Sequence, residues 1–304
     1  MKYISTVVVT FNRKQALLEC LKAVENQSVK PQSVYIYDNA STDGTEAMLK
    51  ELGYINQTVC GIDFHYIRSQ KNIGGSGGFY TGMKVAHEAG CDAIWVMDDD
   101  GIPDKDCLKN MISCLGQYDY ISPLVIDVEN EEMMSFEGCT VAEFLKREDN
   151  GIVKGCANPF NGILYSKKLL DTIGYPKKEM FIWGDEINYD NRARQAGFQP
   201  VMVTNAIHRH PLNRQRYVKY FGKHMMVVPE QDWKLFCYVR NSIYNTKTFR
   251  GSSACRKQMF LFLLKFGLYY TLQEWQPRKL SVVFSAIRKG IRGDFSDLEK
   301  YMKQ

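Results

Sequence analysis

The sequence predicts an α/β protein, with a doubly wound, mostly parallel sheet over residues 1–211 and a helical, basic region over residues 212–304. Three observations carry that expectation. From Ile4 to Val203, short apolar or β-branched runs alternate with stretches of helical periodicity, which is the pattern of strand, crossover helix and parallel strand. The run Ala93-Ile94-Trp95-Val96-Met97 reads as a strand buried on both faces and stops abruptly at Asp98-Asp99-Asp100, at the carboxyl end where open α/β sheets bind ligands. Beyond Pro211, helical periodicity dominates, in Asp232–Phe249, Ser253–Trp275 and Arg278–Arg292.

Taken in order, Ser5–Thr10 is a Val-rich first strand, and Asn12 is placed to cap a helix whose apolar face is Leu17, Leu18, Leu21 and Val24. Val34–Tyr37 is the second strand. Asp43, with Glu46 three positions on, suggests a capping box that opens a helix through Leu52. Phe64–Arg68 is the third strand, and the glycine-rich stretch Asn72–Met83 leads into a helix with Phe79, Met83 and Ala86 on one side. After the acidic triplet, Pro103 suits the first residue of a helix faced by Leu108, Met111, Ile112 and Leu115. Tyr120–Val128 reads as a strand, residues 129–158 give no periodic signal, Asn161–Tyr165 is a strand, and Lys167–Ile173 is a helix ended by Gly174. Trp183 then stands beside Asp185 and Glu186 at the start of a helix running to Ala196, and the strand Pro200–Val203 enters His208-Arg209-His210.

Charge divides the chain. From Ala206 onward there are 19 Lys and Arg against 6 Asp and Glu, which leaves 20 against 28 before it. The nine cysteines include no C-x-x-C pair, so neither a zinc site nor a disulfide framework is expected, and a reducing, cytoplasmic setting fits. No signal peptide is expected at the start, and no run reaches the roughly 18 apolar residues of a membrane span. Arg and Lys interleaved with Tyr, Phe and Trp in the last third suit the face of an anionic bilayer, while nothing matches a DNA- or RNA-binding module, so nucleic acid is not an expected partner.

Three adjacent carboxylates repel one another and become tolerable around a hard divalent cation such as Mg²⁺ or Mn²⁺, which takes oxygen ligands and links them to phosphates. The glycines of Asn72–Gly82 let backbone amides approach an anion at a helix start, and their place next to the acidic strand favours a nucleotide diphosphate with a metal. Asp185 and Glu186 are candidates for a general base, and Trp183 for a surface that stacks on a sugar. His208 and His210, two apart on an extended segment, face the same way, so either could complete an Asp-rich metal shell.

Together, Val8-Val9-Thr10-Phe11-Asn12-Arg13, Asp38 to Thr45, Asn72-Ile73-Gly74-Gly75-Ser76-Gly77-Gly78-Phe79, the Asp98–Asp100 triplet and Phe181-Ile182-Trp183-Gly184-Asp185-Glu186 resemble glycosyltransferase family 2, inverting nucleotide-sugar enzymes of the GT-A fold. The doubled glycines before Phe79, the full triplet, Trp183 and the tail segment Tyr238–Tyr244 are most similar to bacterial galactofuranosyltransferases. The resemblance implies that Thr10, Phe11, Arg13 and Asp38 hold a uridine, that Asn72, Gly74 and Gly75 line the diphosphate, and that Asp99 and Trp183 also contact substrate. It implies Mn²⁺ or Mg²⁺ on Asp98 and Asp100 with His208 or His210, and a base at Glu186 or Asp185. The expected activity is transfer of galactofuranose from UDP-galactofuranose to a hydroxyl of a cell-surface glycan, free or lipid-linked, at the inner face of the membrane. The alternatives are another donor, dTDP-rhamnose or a UDP-hexose, and a catalytically inactive scaffold that binds sugar nucleotides.

Overall fold

Every residue of strand β1 (Ile4–Thr10) is buried, because the strand lies in the middle of the sheet between two layers of helices. Its side chains alternate accordingly. Val8 enters one core with Leu17, Leu21 and Val24 of helix α1 (Lys14–Glu25), while Val7 and Val9 enter the other with Phe79, Met83 and Ala86 of helix α3 (Gly74–Glu88). A computed structural model describes residues 2–212, 217–220 and 224–302. They form two compact units, Met1–Lys178 with Tyr189–Asn213, and Glu179–Asn188 with Arg214–Gln304.

In the first unit, β2 (Ser33–Asp38), the two-residue β3 (Thr58–Val59), β4 (Ile62–Arg68), β5 (Ala93–Asp98), β6 (Ile102–Pro103), β7 (Tyr120–Asp127), β8 (Ile152–Lys154), β9 (Asn161–Ser166) and β10 (Val201–His210) join β1 in one ten-stranded sheet. Its order is β3-β4-β2-β1-β5-β9-β7-β10-β6, with β8 beside β10. Strands β4, β2, β1 and β5 run parallel, β9 is antiparallel to both β5 and β7, and β7 and β10 are parallel again. This is the doubly wound, mostly parallel sheet that the alternating pattern predicts. Trp95 and Met97 of β5 face one core, Ile94 and Val96 the other, as a strand buried on both sides requires.

Local details differ from expectation where capping decided them. Arg13, not Asn12, is the N-cap of α1, and Asn12 Oδ1 instead accepts the Thr42 amide at 2.7 Å. No capping box forms at helix α2 (Thr45–Glu51), whose N-cap is Gly44 in a left-handed conformation at φ 89°. The Asp43 carboxylate instead accepts the amides of Lys14 and Thr45, and so ties the starts of α1 and α2 together. Pro103 lies in β6, paired with His208, and the following helix, α4, covers only Cys107–Cys114. The segment without periodicity holds a five-residue helix, α5 (Val141–Leu145), with its own capping box from Thr140 and Glu143, and β8. Helix α6 (Lys167–Ile173) follows β9 as expected.

The glycine cluster is part of a helix rather than a loop. A methyl group on Gly78 would meet Val9 at 2.6 Å and one on Gly82 would meet Val7 at 2.6 Å, so these two glycines let α3 lie directly on β1. Gly75, nearer the helix start, faces open space.

In the second unit, helix α7 (Asp185–Gln195) contributes its first turn, and helix α8 (Asp232–Leu268) is the longest element. Gly251 interrupts α8 at φ 83°, between the two helical stretches read from the sequence. A π-helical turn, Tyr269–Gln273, and α9 (Lys279–Arg292) follow, and both pack with α8 on a core of Leu235, Phe236, Ile243, Phe266, Tyr270 and Val283. Among the described residues no helix is long and apolar enough to cross a membrane.

Candidate active site

The carboxyl ends of β1, β2 and β5 lie in register, with Thr10 opposite Asp38 and Val9 opposite Asp98. Loops leaving these ends therefore converge. Thr10 Oγ1 donates to Asp99 Oδ2 at 2.7 Å, and Arg13 Nη1 reaches Asp99 Oδ1 at 3.2 Å and Asp100 Oδ2 at 2.6 Å. His210, at the end of β10, sets Nε2 3.2 Å from Asp100 Oδ1. The ligand atoms of Asp98, Asp100 and His210 all lie within 4.8 Å of one another.

The electrostatics are those of crowded anions. Burial, reinforced by the charges of Asp100 and Asp99, pushes the Asp98 carboxyl up to about 8. Burial raises Asp99 to about 6, against the opposing charge of Arg13 and the hydrogen bond from Thr10. Burial alone would raise Asp100 too, but the hydrogen bond and charge of His210, with Arg13, hold it at about 2.

Two carboxylates and one imidazole form a hard, oxygen-rich donor set that suits Mg²⁺ or Mn²⁺. His210 fits the role in a further respect. Its Nδ1 lies 2.7 Å from the Pro211 carbonyl, which can only accept, so Nδ1 carries a hydrogen and Nε2 is the nitrogen turned to the carboxylates. His208 is placed differently. It is fully buried, burial pushes it down to about 3, and its ring is wedged where methyl groups on Gly101 and Gly162 would come within 2.4 and 2.6 Å. Of the two histidines, the structure groups His210 with the acidic pair.

The other residues expected around a nucleotide are distributed as follows. Phe11 is exposed beside Thr10. Asp38 is fully buried, accepting the Ser41 amide at 2.8 Å and the Tyr66 hydroxyl at 2.7 Å, so it shapes the end of β2 through its neighbours. Asn72 Oδ1 accepts the Gly74 amide at 2.8 Å. Asn39, which sequence reasoning did not single out, joins β2 to the start of α3 by accepting the Ile73 amide and donating to the Gly74 carbonyl.

The second unit carries Asp185 and Glu186. Asp185 is buried, and its charge helps raise the thiol of Cys237, which burial and this carboxylate together push up to about 11 against the pull of Arg240. Glu186 is partly exposed, with Oε2 accepting the Gly184 amide at 2.8 Å. Trp183 is half-buried with its ring edge-on to Tyr238. Three polar side chains of α8, Arg240, Asn241 and Asn245, bond the backbone before Asp185. In the sequence the segment holding the first two stands out only as a likeness, because a polar side chain inside a helix shows its partner only once the fold is formed.

Comparison with known proteins gives this geometry a context. The family model described as Glycosyl transferase family 2 matches residues 5–184. The chain is 28% identical over 294 residues to galactofuranosyltransferase GlfT1 of Mycolicibacterium smegmatis, covering 90% of this chain and 93% of that one. It is likewise 28% identical to GlfT1 of Mycobacterium tuberculosis, over 95% of each chain. The crystal structure of S. aureus TarS 1–349 superposes with a TM-score of 0.58 at 15% identity, covering 95% of this chain and 81% of that one. The mannosyltransferase PcManGT from Pyrobaculum calidifontis, in complex with GDP-Man and Mn²⁺, gives 0.54 at 13% identity over 95% and 87%. These structural likenesses support the GT-A fold.

Proposed function

Because the chain belongs to glycosyl transferase family 2, we propose that it is an inverting enzyme that moves galactofuranose from UDP-galactofuranose to a hydroxyl of a glycan acceptor. The observation that carries the chemistry is the meeting of Asp98, Asp100 and His210 at the carboxyl ends of β5 and β10, beside Thr10 and Arg13. What favours galactofuranose is that the similarity to the two GlfT1 proteins extends over at least nine-tenths of both chains.

In this reading Thr10, Phe11, Arg13 and Asp38 form the uridine side, and Asn72, Gly74 and Gly75 the diphosphate side, where the start of α3 offers backbone amides. Asp98, Asp100 and His210 hold Mn²⁺ or Mg²⁺, which supplies Lewis-acid neutralisation to a diphosphate. Arg13, bound to Asp99 and Asp100, keeps those carboxylates in place. We take Glu186 as the base, since Asp185 is buried while Glu186 is partly exposed and oriented by the Gly184 amide. Glu186 accepts the proton of the acceptor hydroxyl as its oxygen bonds to the anomeric carbon. The bond from that carbon to the diphosphate oxygen breaks on the opposite face, which inverts the centre.

The acceptor is proposed to be lipid-linked and met at an anionic membrane surface. The second half of α8 supports this reading. Phe260, Leu261 and Leu264 are exposed on one face with Lys257 and Lys265, and no Asp or Glu occurs between Gly251 and Gln273.

The test is a panel of nucleotide sugars, UDP-galactofuranose, UDP-glucose, UDP-galactopyranose and dTDP-rhamnose, each incubated with Mn²⁺ and a lipid-linked glycan extract and read by product mass. An added hexose from UDP-galactofuranose alone is expected. Transfer from another donor would overturn the sugar assignment, and UDP binding without turnover of any donor would leave a binding scaffold.

A further inference from the structure

Residues 180–184, which deliver the acidic pair, hold an unusual backbone. Phe181 at φ 70° and Trp183 at φ 59° are left-handed, as is Gly184 at φ 87°. A left-handed conformation is costly for an aromatic residue and persists where the surroundings enforce it. Here they do. Asn241 Nδ2 lies 3.0, 3.0 and 2.6 Å from the carbonyl oxygens of Met180, Ile182 and Trp183, its two hydrogens shared among the three. Asn245 Nδ2 donates to the Gly184 carbonyl at 2.7 Å, and its Oδ1 accepts Asn188 Nδ2 at 3.0 Å, so one side chain bonds both the loop and the first turn of α7.

Arg240 completes the arrangement. Fully buried, it donates from Nη2 to the Met180 carbonyl at 2.8 Å and from Nε to Asn241 Oδ1 at 2.9 Å, while its guanidinium lies over the rings of Phe236 and Phe295. Its bond to Oδ1 fixes which way the Asn241 amide faces. With the carbonyls of Met180, Ile182, Trp183 and Gly184 all committed to α8, the Gly184 amide is fixed in direction, and it is this amide that holds the Glu186 carboxylate.

We propose that Arg240, Asn241 and Asn245 are positioning residues for the base, a polar clamp that bends residues 180–184 so that the Gly184 amide aims Glu186. The proposal rests on the reading of Glu186 as the base. Its rival is a plain structural tie between loop and helix, which would set stability without setting turnover.

The test uses the full-length protein and three variants, Asn241→Leu, Asn245→Leu and Glu186→Gln, with UDP binding measured by calorimetry in Mn²⁺ and kcat measured at saturating donor. Asn241→Leu is expected to bind one UDP per chain with a Kd within about twofold of the parent, while kcat falls about 100-fold, the scale of a base displaced by an ångström or so. Asn245→Leu removes one loop bond and should show the same change at smaller amplitude; it decides the matter if Asn241→Leu does not fold. Parental kcat in folded Asn241→Leu protein overturns the proposal. So does a loss of turnover that only follows the loss of UDP-binding chains. Turnover retained in Glu186→Gln would instead refute the base, whereas turnover lost there and kept in both asparagine variants refutes the clamp alone.

Discussion

Gly82 and Asp100 answer to different kinds of constraint, and substitutions at them should fail in different ways. A methyl group on Gly82 would stand 2.6 Å from Val7 Cγ1 in the middle of the sheet, so Gly82→Ala forces α3 away from β1. We expect a loss of about 1–3 kcal/mol in urea unfolding, the usual scale of overpacking. Parental stability would mean that α3 has slack the structure does not show. Asp100→Ala removes a carboxylate and leaves the core intact. Its kcat in Mn²⁺ should drop on the order of 10²- to 10³-fold, with an unchanged far-ultraviolet circular dichroism spectrum. Normal turnover would sink the metal assignment. The two histidines show how far a sequence reaches at this scale. Alternation along a strand puts His208 and His210 on the same face, but depth along the strand separates them, since His208 sits between Gly101 and Gly162 and His210 two residues on reaches Asp100. Periodicity gives the face and is silent about depth.

At the scale of elements, the strands of the sheet were legible because burial on both sides demands continuous apolar runs, and α1, α3 and α8 because their spacing repeats over several turns. Helix starts were less legible. Asp43 carries the signature of a cap for its own helix, yet the fold uses it to join two helices. Burial would raise its carboxyl, but bonds from the Thr45 hydroxyl and from the Lys14 and Thr45 amides hold it below the ordinary value of 3.8. A depressed carboxylate contributes stability above its unfolded value and loses that contribution as pH falls through the folded one. Asp43→Asn should therefore be less stable than the parent at pH 7, with the gap closing toward pH 3 in parallel urea titrations. A gap independent of pH would show that shape, not charge, matters there. The outer face of α8 makes a separate prediction. Burying Phe260 or Leu264 in lipid is worth about 1.5 kcal/mol or more each, roughly tenfold in affinity. Phe260→Ser with Leu264→Ser should weaken sedimentation with anionic vesicles by about 100-fold, and a parent that ignores such vesicles at low salt would end the membrane reading.

At the scale of the whole chain, the motifs lie far apart in sequence, and the sheet explains why some still meet. Parallel strands deliver their carboxyl ends to one edge, so residues 10, 38 and 98 gather without any local contact, and β10, parallel to β7, brings residue 210 to the same side. That gathering was readable from the strand pattern. The clamp behind Glu186 was not, because its partners lie some 60 residues apart on a loop and a helix that no periodicity connects. The gathering also has a thermodynamic consequence. Burying Asp98 and Asp99 beside Asp100 disfavours their charged forms, first by desolvation and then by the neighbouring carboxylates, so their carboxyls are raised and folding carries that cost. A divalent ion that binds the folded site and not the unfolded chain stabilises by RT ln(1 + [ion]/Kd), about 2.7 kcal/mol at 100 times Kd. Mn²⁺ added without nucleotide should thus raise the melting temperature by several degrees in a concentration-dependent way. Asp100→Ala should lose most of that response, whereas Asp43→Asn, outside the ligand set, should keep it. If the parent and Asp100→Ala respond alike to Mn²⁺, the ion acts elsewhere on the surface and the acidic triplet is not its seat.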